Sequence, residues 1–364
     1  MSERRERYLA EIRRDGAPMS AELARAFATV PREAFVADGF QRRDGGWAKP
    51  GDADFLDLVY GDDVLVTKVE GRMPVSSSSQ PSLMAIMLTA LEVRPGLRVL
   101  EIGAGTGYNA ALLAALGARV TSVDVQADVA DRARFALARA GVDGARILLG
   151  DGYAGAPGER FDRVVVTVGV AGLSPQWLAQ LDGAGPLVAP VEHAGTHPVL
   201  VANGTADGPV TASVLCPSGF MSAAGPLTAH HPGAHPAPAA ARTLGEFVQV
   251  TGPRWRSPLT AMSYRDLWYA AGAWSRRATH AAVPGREQSV LALLDDARTG
   301  GAAVFPDGTV LAGGPEGARL AEEAMTIIDR WEAAGRPPMQ AWRIGLALTG
   351  DADTPIWVPA TWEL

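Results

Sequence analysis

Residues 99–114 read VLEIGAGTGYNAALLA, an apolar strand that runs into Gly103, Gly105 and Gly107 and then into a helix-forming stretch. Glycines here let the backbone turn sharply and approach a ligand, since no Cβ limits φ or fills the space, and the N-terminus of the next helix faces the same place. The spacing alone leaves two cofactor classes open, because from Gly105 the text also satisfies the dinucleotide pattern G-x-G-x-x-A. Outward from this turn, residues 98–102, 119–123, 145–149 and 163–168 have strand character, and residues 108–116, 126–140 and 175–181 have helical character. Strands alternating with helices at this pitch predict an α/β fold with a parallel sheet covered on both faces. The apolar runs at 186–191, 198–201 and 209–215 leave little room for helices, so the sheet is expected to end in antiparallel strands.

Before the turn, Tyr8, Leu9 and Ile12, then Leu23, Ala26, Phe27 and Val30, fall at helical spacings, and Pro31 interrupts the second run. This first part reads as short helices and turns. After the sheet, residues 225–241 read GPLTAHHPGAHPAPAAA, without a charged residue, which suits a semi-rigid linker. His230, His231 and His235 could ligate a metal, but no carboxylate or cysteine accompanies them, and no metal is assigned. Beyond lie an amphipathic stretch (264–277), an apolar run (290–294), a hairpin AAVFPDGTVLAGG turning at Asp307-Gly308, a helix (318–334) and a strand (339–348). That is the pattern of a small α+β domain. Seven of the nine tryptophans lie here, either as an ordinary aromatic core or as a peptide-binding face.

Composition narrows the class. The chain has 364 residues, enough for two domains, and with 47% hydrophobic against 20% charged residues it can build a sizeable core. A net charge of -7 and the absence of basic runs give no reason to expect nucleic acid or an anionic membrane. Cys216 is the one cysteine, which excludes an intrachain disulfide and a thiolate metal cluster. The N-terminal MSERRERYLAEIRRDG has no apolar segment behind it, and no run approaches the roughly 18 apolar residues that span a bilayer. A soluble, cytoplasmic protein is expected.

Context resolves the glycine turn. Glu101 stands two residues before the three glycines, in the E-x-G-x-G-x-G form that resembles motif I of class I S-adenosylmethionine (SAM) methyltransferases. A carboxylate there can pair with the ammonium of the cofactor's methionine moiety and would repel a pyrophosphate. Asp124 closes the second strand, where it can accept both ribose hydroxyls or act as a helix N-cap. Asp151-Gly152 follows the third strand. By itself it reads as a turn, while the matching position in the methyltransferases contacts the adenine amino group. Ligands of open α/β sheets bind outside such strand ends.

Upstream lies MPVSSSSQPSLMAIML (73–88), whose serine run alone would suit a linker but which abuts Pro81 and an apolar helix. Together with VPREAFV (30–36), GDGYAGAPGERFD (150–162) and LAQLDGAGPLVAPV (178–191), these motifs make the chain similar to the protein L-isoaspartyl O-methyltransferases over roughly residues 8–221. The resemblance implies a Rossmann-like class I SAM-dependent methyltransferase, with an N-terminal helical extension and a C-terminal α+β auxiliary domain. The implied organisation is an N-terminal helical or lid region (1–78), the methyltransferase core (79–222), the linker (223–241) and an auxiliary domain for peptide recognition (242–364). Ser79 is implied as the active-site serine, near the transferred methyl and the acceptor carboxylate. The implied cofactor set is Ser78, Gln80, Glu101, Gly103, Gly105, Thr106, Gly107, Asp124, Val125, Asp151 and Gly152, holding SAM and releasing S-adenosyl-L-homocysteine.

The chain departs from minimal repair enzymes in its four-serine run, in a longer segment between Phe35 and Ser76 with an acidic tract at 52–63, in VTVGVAG (166–172), and in everything after Gly225. The tract alone reads as a solvated face. These departures resemble the branch that accompanies ribosomally synthesised peptides, including graspetides and lanthipeptides. Its members esterify an aspartate of a cyclised peptide, and the ester collapses to an aspartimide. The implied partner is a ribosomal precursor peptide, already macrocyclised, with no nucleic acid and no membrane. Repair of L-isoaspartyl residues is the alternative.

Overall fold

The computed structural model describes residues 3–14, 19–183, 185–205, 208–228, 247–283 and 289–364. Most of the expected linker, with His230, His231 and His235, lies outside them.

The centre is a nine-stranded sheet in the order Ile356–Glu363, Arg343–Thr349, Val210–Cys216, Val199–Asn203, Leu187–Pro190, Arg163–Val166, Arg98–Ile102, Arg119–Asp124, Ala145–Leu149. From Leu187–Pro190 to Ala145–Leu149 neighbours run parallel, and the remaining strands run antiparallel, by short connections except between Val210–Cys216 and Arg343–Thr349, which the five-stranded C-terminal sheet separates in the chain. Successive residues point to opposite faces, so a sheet buried on both sides feeds two cores. Val99, Val165 and Val188 belong to one core and Leu100, Val164 and Leu187 to the other. The first core also takes Tyr8, Ile12 and Phe27 from the N-terminal helices Glu3–Arg14 and Ala21–Thr29, and apolar residues of helices Pro81–Ala90, Tyr108–Ala115 and Ala127–Arg139.

Two expectations need revision. The N-terminal region is not only helical: Trp47–Ala48, Phe40–Gln41, Leu65–Glu70 and Met73–Ser78 form a four-stranded antiparallel sheet. Its hairpin turns at Gly71, with φ of 61°, and sets Leu65 opposite Ser78 and Val66 opposite Ser77. The serine run is therefore strand, held by a ladder that its composition does not suggest. The acidic tract is the solvated face expected, and Asp52, Asp54 and Asp63 form their ion pairs at the surface, the first two with Arg42 and the third with Arg43. Asp62 accepts from Ser82 N at 2.8 Å and Gln80 Nε2 at 3.1 Å.

The C-terminal region forms a five-stranded antiparallel sheet, Val248–Thr251, Val310–Gly313, Gly301–Val304, Val290–Leu294 and Ala278–Ala281, with helices Ala261–Trp274 and Gly317–Ala333. Its hairpin turns where expected, with Gly308 at φ 84°. Strands Arg343–Thr349 and Ile356–Glu363, however, return to the central sheet, and Leu267, Leu293, Ile328 and Trp331 share one core with Leu100 and Trp177. The described residues of 242–364 thus share a sheet and a core with the methyltransferase strands. Trp268, Trp331 and Trp342 are buried there, and Trp255, Trp274, Trp357 and Trp362 pack against the same core, which is the aromatic-core arrangement. No helix among the described residues is long and apolar enough to cross a membrane.

Candidate active site

At the C-terminal ends of the parallel strands a cleft of about 1010 Å³ opens, walled by the glycine turn, the N-terminal hairpin, the loops 195–197 and 218–225, and the C-terminal region. Gly103, Gly105 and Gly107 all have positive φ, at 97°, 52° and 84°. Space forbids side chains as well: a Cβ on Gly103 would stand 2.8 Å from Val168 Cγ1, and one on Gly105 3.0 Å from Ser77 O. Thr167 Oγ1 locks the turn by donating to Gly103 O at 2.6 Å.

Asp124 lines the cleft and receives Gly105 N and Gln126 N, each at 3.0 Å, on different carboxylate oxygens. Each oxygen keeps a lone pair for a ligand hydroxyl. Burial pushes this carboxyl above its usual range, against the two backbone donors. Asp151, Gly152, Thr106 and Val125 line the same cleft, and Val125 is exposed, so the lining offers an apolar surface as well as acids.

Glu101 behaves differently from its expected role. It is fully buried and absent from the cleft wall, and it accepts Ser122 Oγ at 2.5 Å and Asn109 Nδ2 at 2.7 Å. Burial raises its pKa to about 7, opposed by those two donors. Direct pairing with a ligand ammonium therefore gives way to an indirect arrangement. Asn109 lines the cleft, and its Oδ1 is buried without a hydrogen-bond partner among the described residues. That orphan acceptor, oriented by Glu101, is what a cationic amine would satisfy. The only sequence signal for Asn109 was its place in the first turn of the helix after the glycines.

Ser79 lies in the two-residue connection between strand Met73–Ser78 and helix Pro81–Ala90 and lines the cleft with Ser76 and Ser77. Ser78 and Gln80 do not. Ser78 points its alternate face into the protein at 2% exposure, and Gln80 is turned to Asp62. Arg32, missed within VPREAFV, fixes this connection. Fully buried, it donates to Val59 O and Gly61 O at 2.9 Å, Asp63 O at 2.8 Å and Ser79 O at 3.1 Å. Among the described residues no group of three or more potential ligands could hold a metal.

The donor set fits SAM. Asp124 can take ribose hydroxyls, Asp151 and Val125 line the same cleft, Asn109 presents an acceptor, and the acidic lining suits a cation. The family model described as Protein-L-isoaspartate(D-aspartate) O-methyltransferase (PCMT) matches residues 3–225. A protein-L-isoaspartate O-methyltransferase of Methanoculleus marisnigri is 40% identical over 190 residues, covering 52% of this chain and 77% of that protein. One of Thermotoga maritima is 36% identical over 177 residues, covering 48% of this chain and 51% of that protein. A solved structure titled protein-L-isoaspartate O-methyltransferase superposes with a TM-score of 0.55 at 24% identity, covering 98% of this chain and 99% of that one. At that identity the likeness concerns the fold, and it extends to the C-terminal region.

Proposed function

The chain belongs to the protein-L-isoaspartate(D-aspartate) O-methyltransferase family, protein carboxyl O-methyltransferases that use S-adenosyl-L-methionine, and from that premise we propose that it esterifies an aspartate in a cyclised ribosomal peptide. The observation that carries this reading is the walled cleft. At about 1010 Å³ it lies at the top of the range for one small ligand, so it has room for the cofactor and a compact segment of peptide, and a fixed hairpin on one side and the C-terminal region on the other restrict what enters. A walled cleft suits a small constrained ring. The C-terminal region does not itself separate the readings, because a comparable full-length fold occurs in the solved isoaspartate methyltransferase.

When bound, the cofactor supplies an electrophilic methyl group. The chain's own work is positioning. A peptide carboxylate with an ordinary pKa near 4 is already ionised at neutral pH, so no general base is required. Ser79 donates a hydrogen bond that orients the carboxylate while leaving the attacking oxygen clear, and Arg32 holds the backbone carrying it. Alignment of this kind is worth on the order of 7–11 kcal/mol of barrier. Once the methyl ester forms, the next backbone nitrogen of the substrate can attack the ester carbonyl, lose its proton and expel methanol, closing the succinimide.

The names of the relatives favour a second reading, repair of L-isoaspartyl residues. Mass spectrometry separates the two. A cyclised ribosomal precursor peptide carrying the target aspartate should gain one methyl group with SAM and then lose methanol. An isoaspartyl model peptide methylated far faster than that precursor would overturn tailoring and establish repair.

A further inference from the structure

The cleft lining carries both signs of charge, drawn from different parts of the chain. Its acidic members, Glu70, Asp124 and Asp151, lie with the hairpin and the glycine turn, whereas Arg265 and His280 come from the C-terminal helix Ala261–Trp274 and strand Ala278–Ala281. Arg265 is exposed, lies over the Trp268 ring at 5.4 Å, and pairs with no carboxylate among the described residues. Contact with a ring engages the face of a guanidinium and leaves its in-plane N–H donors for an acceptor.

The C-terminal region also builds the wall around this group. Loop residues Gly195, Thr196 and His197 line the cleft, and the loop is gripped from outside. Trp268 Nε1 donates to Ala194 O at 2.9 Å, His280 Nδ1 stands 3.0 Å from Gly195 O, and His193 stacks on Tyr269 with ring centroids 4.1 Å apart. Gly195, at φ 77°, fits so closely that a Cβ would meet Thr279 Oγ1 at 2.6 Å. A guanidinium that lines the cleft on this wall and pairs with no carboxylate among the described residues is placed for an anion.

We propose that Arg265, on the cleft lining that also includes His280, forms a carboxylate-recognising subsite, selecting peptides that carry a second acidic side chain beside the carboxylate to be methylated. The subsite rests on a peptide carboxylate being the acceptor, but not on whether that acceptor is aspartyl or isoaspartyl. Charge complementarity would draw an acidic peptide to this guanidinium and a cationic cofactor to the acids.

The test uses the full chain with S-adenosyl-L-homocysteine and two peptides differing only in a Glu or its Gln counterpart next to the target residue, with Kd measured by calorimetry, a readout that needs no turnover. Losing one charge-assisted hydrogen bond costs about tenfold in affinity, so the native protein should prefer the acidic peptide by about that factor. Arg265→Ala should abolish the preference, Arg265→Glu should invert it, and Arg265→Lys should retain part of it. The preference should also shrink with added salt. Equal affinities for the two peptides in the native protein, or an unchanged preference in Arg265→Ala, would overturn the subsite. Running the pair in both aspartyl and isoaspartyl form keeps that result separate from the choice between tailoring and repair.

Discussion

Lys68 Nζ lies 2.8 Å from Gln126 Oε1, and Gln126 Nε2 donates in turn to Val75 O at 2.9 Å. Through this pair the N-terminal hairpin is fastened to the segment that follows Asp124, on both of its strands. Asp128, 2.9 Å from the same ammonium, completes the clasp and holds the lysine in its charged form, its pKa above the usual range. Lys49 and Lys68 are the chain's two lysines, and Lys68 is the one that joins the hairpin to that segment.

Loosening the clasp should act on the cofactor. Lys68→Met removes a partly exposed contact, so the expected effect is modest, a rise in the SAM Kd of roughly fivefold at most. Calorimetry at low and high salt checks it, because the native affinity should fall with salt toward that of the variant.

Ser79 and Asp124 should fail in different ways. On the proposed mechanism, Ser79→Ala removes the hydrogen bond that orients the acceptor and should lower kcat by about 10–100-fold while SAM affinity stays near native. Asp124→Ala removes the anchor of the glycine turn and should weaken SAM binding by a similar factor. Steady-state kinetics with SAM titrations distinguish them, and the reverse pattern would exchange the two roles.

Arg32 should matter for stability first. Arg32→Met leaves four carbonyls, on Val59, Gly61, Asp63 and Ser79, without their buried donor. The expected destabilisation is about 3 kcal/mol or more by urea unfolding. A variant that unfolds like the native protein would show that water replaces the guanidinium.

Glu101 gives stability a pH dependence of definite sign. Its folded pKa of about 7 lies above its ordinary value of 4.5. A raised folded pKa means the folded state binds the proton more tightly than the unfolded state. Its stabilising effect is therefore complete below about pH 4.5 and lost as pH rises through about 7. Glu192, also raised to about 7 by burial, adds to the same slope. The melting temperature of the ligand-free protein should fall between pH 5 and 8, and Glu101→Gln should flatten part of that fall. An unchanged slope would place the titration elsewhere.

Much of this molecule was legible in its residues because the signals were local. Residues 145–149 and 290–294 are strands with the bounds their apolar runs suggested, and the glycine turn is where Gly103, Gly105 and Gly107 placed it. Local chemistry was weaker where a residue's partner lies far along the chain. The serine run is strand because Leu65 and Val66 pair with it, and Glu101 is a buried support because Ser122 and Asn109 enclose it. No property of either segment alone distinguishes those outcomes.

The sequence by itself determined the parallel sheet, the glycine turn, the acids at its strand ends and the family, since these rest on apolar period, on φ that only glycine adopts readily, and on motif order. Only the tertiary structure decided which of those acids face the cleft, and that Arg343–Thr349 and Ile356–Glu363 return to the central sheet. It also decided that Arg265 shares the cleft with Asp124, across 141 positions of chain. An alternating apolar pattern states that a strand has a buried face. It does not state what buries it, because that depends on the shapes of surfaces assembled from distant parts of the chain.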